Sequence, residues 1–143
     1  MDFGAVVNGY RSDMTRTVAV GYIIDEQRLV YNTVLNAKAA AVSAVKSGAV
    51  CCDIDKIARD IINNAGFEGC FGHALGHSVG IEIHESPILS PKCSETLKSG
   101  NVITVEPGIY IENKFGVRIE DMVFVTEDGC KDITESPDEL LIV

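Results

Sequence analysis

Residues 101–125 read NVITVEPGIYIENKFGVRIEDMVFV, two apolar, β-branched runs on either side of a short polar loop. Such runs read as strands, and a loop centred near Asn113 makes them an antiparallel pair. Counting outwards from Asn113 sets Glu106 opposite Glu120 on one face. A carboxylate interrupting an apolar strand is costly to bury without a partner. One buried ion pair, most simply Arg118 with either glutamate, would absorb one acid. It leaves the other, and Asp121 beside it, unexplained.

The first stretch of the chain, MDFGAVVNGYRSDMTRT (residues 1–17), poses the same problem. Asn8-Gly9 is a strong hairpin signal, because a type I′ turn needs positive φ at both central residues. That turn pairs Val7 with Tyr10 and sets Gly4 opposite Asp13. Asp2 and Asp13 then lie on one face as diagonal neighbours, with Gly4 expected to leave open space across from Asp13. Converging carboxylates repel unless a cation or a proton lies between them. On a merely solvated face, Arg11 or Arg16 would be the nearby counter-charge.

A third stretch, GHALGHSVGIEIHESP (72–87), holds His73, His77 and His84, every histidine in the chain. The spacing of four between His73 and His77 would suit a zinc-protease helix, but the glutamate of that motif is missing. Gly72, Gly76 and Gly80 also argue against a stable helix. An extended segment puts both histidines on one face as well. Asp2, Asp13, Glu106, Glu120 and one histidine make an oxygen-rich donor set with one nitrogen. Hard divalent ions favour such a set, and two ions could share bridging carboxylates.

The chain's size and 46% apolar content over 143 residues fit one domain. A net charge of −9, from 21 acids against 12 bases, with no basic run, argues against a nucleic-acid partner. No apolar stretch approaches membrane-spanning length, and no signal peptide is visible, so no membrane partner is expected. Cys51, Cys52, Cys70, Cys93 and Cys130 fit neither a metal spacing nor a disulfide framework, and reduced thiols in a cytoplasmic protein are expected. Between the acidic stretches, DEQRLVYNTVLNAKAAAVSAVKSG (25–48) reads as a long helix. Asp25 would cap it, Leu29, Val30, Val34, Ala37, Ala41 and Val45 would face inward, and Gly48 would stop it. A second helix would be capped by Asp53, bury Ile54, Ile57, Ala58, Ile61 and Ile62, and end at Gly66. The order of hairpin, two helices and antiparallel strands predicts an α+β fold.

Taken in order, DFGAVVNGYRSDMTRT, GHALGHSVGIEIHESP, TVEPGIYI and GVRIEDMVFVT resemble the successive motifs of the pita-bread metallopeptidases, the group of aminopeptidase P, prolidase and methionine aminopeptidase. The resemblance spans nearly the whole chain, and EPGIYI with GVRIED is similar to the proline-specific branch. It implies Asp2, Asp13, His77, Glu106 and Glu120 as ligands of two divalent ions, with Asp13 and Glu120 bridging. Manganese leads on ligand hardness, with cobalt and zinc as alternatives. It further implies Glu106 as proton shuttle, His84 at the tetrahedral intermediate, and His73 lining the site. Arg118 and Tyr110 would support the bridging carboxylates. The implied activity is metal-assisted hydrolysis of the Xaa-Pro bond at peptide amino termini, the substrate being a short peptide with proline second.

Members of the group carry a further segment before the first aspartate. The resemblance therefore implies an amino-terminally truncated pita-bread domain, a carboxy-terminal part of the catalytic unit. As an isolated piece it is expected to be inactive, to hold metal incompletely and to form a homodimer. Two other readings stand beside this one: a peptidase-like binding module without catalysis, and a metal-free amidinohydrolase of the creatinase kind. The complete ligand set counts against both.

Overall fold

The computed structural model describes residues 1–143. Asn8 and Gly9 take φ of +52° and +87°, the left-handed values that a type I′ turn requires. Around this turn run β1 (Asp2–Phe3), β2 (Val6–Val7), β3 (Tyr10–Arg11) and β4 (Met14–Thr15). Val7 pairs with Tyr10, Val6 with Arg11, Phe3 with Met14 and Asp2 with Thr15. The register set at the turn therefore survives to the first residues, and Gly4 does oppose Asp13. The space across from Asp13 is not open, however. A Cβ on Gly4 would lie 1.8 Å from the Ser12 carbonyl oxygen, so the glycine is there because the two backbones nearly touch.

The second hairpin holds its register in the same way. After β5 (Gly76–Ser78) and β6 (Glu85–Leu89) come β7 (Val102–Val105), β8 (Gly108–Ile111), β9 (Phe115–Arg118), β10 (Asp121–Val125) and β11 (Cys130–Asp132). Asn113 turns the chain with φ of +58°. Ile111 pairs with Phe115 and Gly108 with Arg118, and beyond the interruption Val105 pairs with Asp121. By continuity Glu106 faces Glu120, as the sequence predicts. The principal sheet is antiparallel throughout, in the order β11-β10-β7-β5-β6. A single bridge, Thr15 to Glu120, joins the first hairpin to it.

Two helices cover one side, α1 (Asp25–Ala44) and α2 (Cys51–Ile62), giving the α+β fold expected of a pita-bread domain. Neither starts where the sequence suggests. Ile24 rather than Asp25 is the N-cap of α1, with its N–H bonded to the Gln27 side chain, and Val50 rather than Asp53 caps α2. Asp25 and Asp53 lie inside the first turns, where a negative charge meets the positive helix end. On α1, Val30, Val34, Ala37, Ala41 and Val45 are buried as predicted, but Leu29 is 55% exposed. Tyr31, Thr33 and Lys38 are buried in its stead. Helix α1 also stops at Ala44, before Gly48, because Val45 is already extended. On α2, Ile54, Ala58 and Ile62 are buried, while Ile57 and Ile61 are only half-buried. Each fully buried Val or Ile contributes about 1.5–3 kcal/mol, so these inward faces hold the helices to the sheet.

All five cysteines are unpaired, and no helix is long and apolar enough to cross a membrane. Gly76, beside His77 in β5, sits where a Cβ would lie 2.0 Å from the Thr104 carbonyl oxygen. Gly76→Ala must therefore push β5 from β7. A loss of about 1–3 kcal/mol is expected in a urea titration, with Gly116→Ala, whose nearest contact is the Tyr110 ring, costing less.

Candidate metal centre

Alternation along the strands places Asp13, Glu106 and Glu120 on the same side of their strands, and the β5 backbone brings His77 to them. One donor atom each from Asp13, His77 and Glu120 lies within 4.8 Å of the others. His77 Nε2 stands 3.7 Å from Asp13 Oδ2 and 3.4 Å from Glu106 Oε1. His77 Nδ1 lies 3.1 Å from the Ser78 carbonyl oxygen. A carbonyl only accepts, so Nδ1 carries a proton, and Nε2 is the ring nitrogen turned towards the carboxylates. The His77 N–H donates to Thr104 Oγ1 (3.0 Å), which donates to Glu106 Oε1 (3.1 Å).

Asp2 lies at the rim. Its side chain is 52% exposed and is paired with Arg118, close enough for its charge to act on Asp13, Glu106 and Glu120. The simple expectation for Arg118, an ion pair with Glu106 or Glu120, is thus corrected. Its Nε donates to Thr15 Oγ1 (3.2 Å), and the Thr15 hydroxyl donates to Glu120 Oε2 (2.6 Å). Arg118 Nη1 donates to the Tyr110 hydroxyl (2.7 Å), which donates to His73 Nε2 (2.9 Å). The His84 ring stands edge-on to His77 with centroids 4.3 Å apart. His73, His77, His84, Glu106 and Arg118 line one cleft, with Ile88 as its apolar wall. Neither arginine named for the first hairpin neutralises Asp2 or Asp13: Arg11 Nε bonds the Ile81 carbonyl, and Arg16 pairs with Asp121 behind the sheet.

The profile of Metallopeptidase family M24 matches residues 1–127. The chain belongs to this family. It is 50% identical over 141 residues to the Xaa-Pro dipeptidase of Pyrococcus furiosus, covering 99% of this chain and 40% of that protein. The X-Pro aminopeptidase structure from Thermotoga maritima superposes with a TM-score of 0.97 at 42% identity, over 99% of this chain and 40% of that one. The Xaa-Pro dipeptidase of Bacillus anthracis superposes with a TM-score of 0.97 at 46% identity, again over 99% and 40%. The chain therefore spans about 40% of the length of these M24 relatives.

The donor set fits the divalent ions that M24 membership implies. Three carboxylates and the Nε2 of an imidazole face one another, and only Asp2 at the rim is paired with an arginine. Burial first, then the neighbouring acids Asp13 and Asp2, push Glu106 up to about 7; burial first, then Glu106, Asp13 and Asp2, push Glu120 up to about 8. Asp13 is also raised, first by burial. His73 is lowered by burial, which keeps it neutral and fit to accept from Tyr110. Sequence reasoning missed Thr15 and Thr104, yet strand alternation contains them: each lies two residues from a site acid, on the same face.

In chelator-treated protein the raised acids set a pH dependence. Groups with folded values above their unfolded ones favour folding fully below about 4.5, and that stability is lost as pH rises through about 7 to 8. Glu120→Gln removes one such group. Its melting temperature should match the wild type near pH 4.5 and exceed it at pH 9, which paired thermal melts would reveal; parallel curves would contradict the assignment.

Proposed function

We propose that the protein carrying these residues is a dinuclear-metal-dependent exopeptidase that hydrolyses the Xaa-Pro bond at peptide amino termini. The observation that carries this reading is the convergence of Asp13, His77 and Glu120, with Glu106 against His77, on a cleft that also holds His84 and His73. The Xaa-Pro preference rests on the M24 relatives named dipeptidase and aminopeptidase. Asp2, Asp13, His77, Glu106 and Glu120 would hold two divalent ions. Four carboxylates balance two dications, with manganese favoured by the hard oxygen donors and cobalt or zinc as substitutes. When bound, such ions polarise the scissile carbonyl and lower the pKa of water.

The chain's own groups do the rest. Glu106, raised towards neutrality and hydrogen-bonded by Thr104, is suited to take a proton and return it to the leaving nitrogen. His84, exposed beside His77, donates to the developing oxyanion. His73 is fixed by Tyr110 and Arg118 at the cleft wall and orients the peptide. Arg118 holds Asp2 directly and Glu120 through Thr15. A cytoplasmic location accords with five unpaired cysteines. A homodimer is proposed on the exposed apolar side chains of the first hairpin, Val6, Val7 and Tyr10, and light scattering tests it.

The whole protein carrying these residues, loaded with manganese, should hydrolyse Xaa-Pro dipeptides or tripeptides and lose activity to a chelator, while residues 1–143 alone are expected to be inactive. Glu106→Gln should lower kcat by about 10²–10⁴-fold, and His84→Ala should lower kcat more than it raises KM. Full activity after complete metal removal would refute the metal-dependent reading.

A further inference from the structure

We infer that Arg16 is a positioning residue of the metal centre: its buried guanidinium fixes the backbone joint that aims Asp13 and Glu120 at each other. This rests on the metal-centre reading above. Arg16 follows Thr15 in the chain, so its side chain leaves the opposite face, away from the cleft. It is almost fully buried, and every one of its donors is used. Nη1 donates to the carbonyls of Thr15 (2.9 Å) and Glu120 (2.7 Å). Nη2 donates to Asp121 Oδ1 (2.6 Å) and the Ser136 carbonyl (2.6 Å), and Nε to the Pro137 carbonyl (2.9 Å).

The importance of those bonds follows from the topology. The first hairpin carries Asp2 and Asp13, while the principal sheet runs up to Glu120. Between Thr15 and Glu120 there is one isolated bridge rather than a ladder, with the Glu120 N–H on the Thr15 carbonyl at 3.1 Å. That backbone bond, with the Thr17 hydroxyl bridging the carbonyl (2.8 Å) and N–H (3.2 Å) of Arg118, ties the segments at few points and leaves them some freedom to pivot. The guanidinium spans the carbonyls of the same two residues, so it removes that freedom from behind. On the cleft side the Thr15 hydroxyl then meets Glu120 Oε2. Two residues before Thr15, the Asp13 N–H points at Met122 Sδ (3.0 Å).

The cation is itself held in place. Asp121 is shared between Arg16 and Lys38 of α1, and Lys38 reaches Asp138 at 2.7 Å. Two cations thus face two carboxylates in a neutral network, buried except at Asp138. Three of its members, Ser136, Pro137 and Asp138, come from the tail beyond the matched residues 1–127. A lysine at position 16 could keep the charge opposite Asp121, but a point charge with three donors cannot span five acceptors on three segments.

The test compares wild type with Arg16→Lys, first confirming by circular dichroism that the variant folds. Manganese affinity is read by calorimetry and ligand geometry by the visible absorption of the cobalt-loaded protein. Arg16→Lys is expected to weaken manganese binding by about 10–100-fold, the usual effect of losing a group that orients a ligand, and to shift the cobalt bands. Asp138→Ala trims the same network at its half-exposed end and should keep the wild-type spectrum and an affinity within about threefold. A folded Arg16→Lys with wild-type affinity and spectrum overturns the inference. So does an Asp138→Ala that loses as much, since that would mean general loosening. If Arg16→Lys does not fold, Asp121→Asn, which keeps an acceptor for Nη2 but removes the charge facing Arg16 and Lys38, should give a smaller loss with the same spectral shift; wild-type behaviour there overturns the inference too. All of these are read in the whole protein that carries residues 1–143; a wild type that binds neither ion there defeats the metal-centre reading itself, a result distinct from the others.

Discussion

Mutual repulsion among buried carboxylates is the force that every other feature of this chain has to contain. Asp13, Glu106 and Glu120 crowd the ring of His77, and burial has already pushed both glutamates far above their ordinary range. Left to relax, such groups would splay apart or take up protons. They stay because each belongs to a backbone that cannot move independently. Glu106 and Glu120 are tied by the register of β7 with β10 and of β8 with β9. Asp13 is held by a hairpin so tight that Gly4 leaves no room for a Cβ beside Ser12.

Each wall of the cleft is anchored by one helix through a buried ion group. Helix α1 supplies Lys38 to Asp121 and so backs the carboxylate wall. Helix α2 supplies Arg59 and Asp55, paired through both oxygens (2.8 and 2.9 Å), to the histidine wall. Arg59 donates to the carbonyls of Phe71 and His73, and Asp55 accepts the Leu75 N–H at 3.1 Å. The segment from 71 to 74 has no strand partner of its own, so these bonds stand in for a ladder and fix where His73 enters the cleft. Buried ion groups of this kind add little net stability compared with apolar packing. Their value here lies in geometry, because a charge pair with several donors defines position more narrowly than a hydrophobic contact.

The legible part of the fold was what depends on counting from a turn. Asn8-Gly9 and Asn113 are positions where a positive φ is chemically marked, and pairing outwards from them gave the facing of Gly4 with Asp13 and of Glu106 with Glu120. The histidine stretch was legible from composition, since glycines every few residues forbid a helix. What depends on distant partners was not legible. Arg118 was expected on a glutamate of its own hairpin but reaches Asp2, because only folding brings residue 2 beside residue 118. Lys38 lies on a buried helix face beside Val34, Ala37 and Ala41, and nothing local says that its ammonium meets Asp121. Helix starts differ from the sequence reading because Asp25 and Asp53 suit a cap and a first turn equally; the Gln27 side chain takes the Ile24 N–H, and a bridge from Val50 to Thr96 fixes the chain ahead of α2.

The adjacent acids Glu120 and Asp121 show how the chain distributes positive charge. They point to opposite faces, and both are nearly inaccessible to solvent. Asp121 receives two cations, Arg16 and Lys38, although one would neutralise it. Glu120 receives none, only a hydroxyl from Thr15. Cations were within reach: Arg118 precedes Glu120 by two residues on the same face, yet it extends past to the rim and binds Asp2. A core built for stability alone would have turned that guanidinium inward. Supplying charge behind the sheet while withholding it in front leaves an acidic pocket whose balance has to come from solution. That is the electrostatic requirement of a site that takes up metal ions rather than one that stores an ion pair.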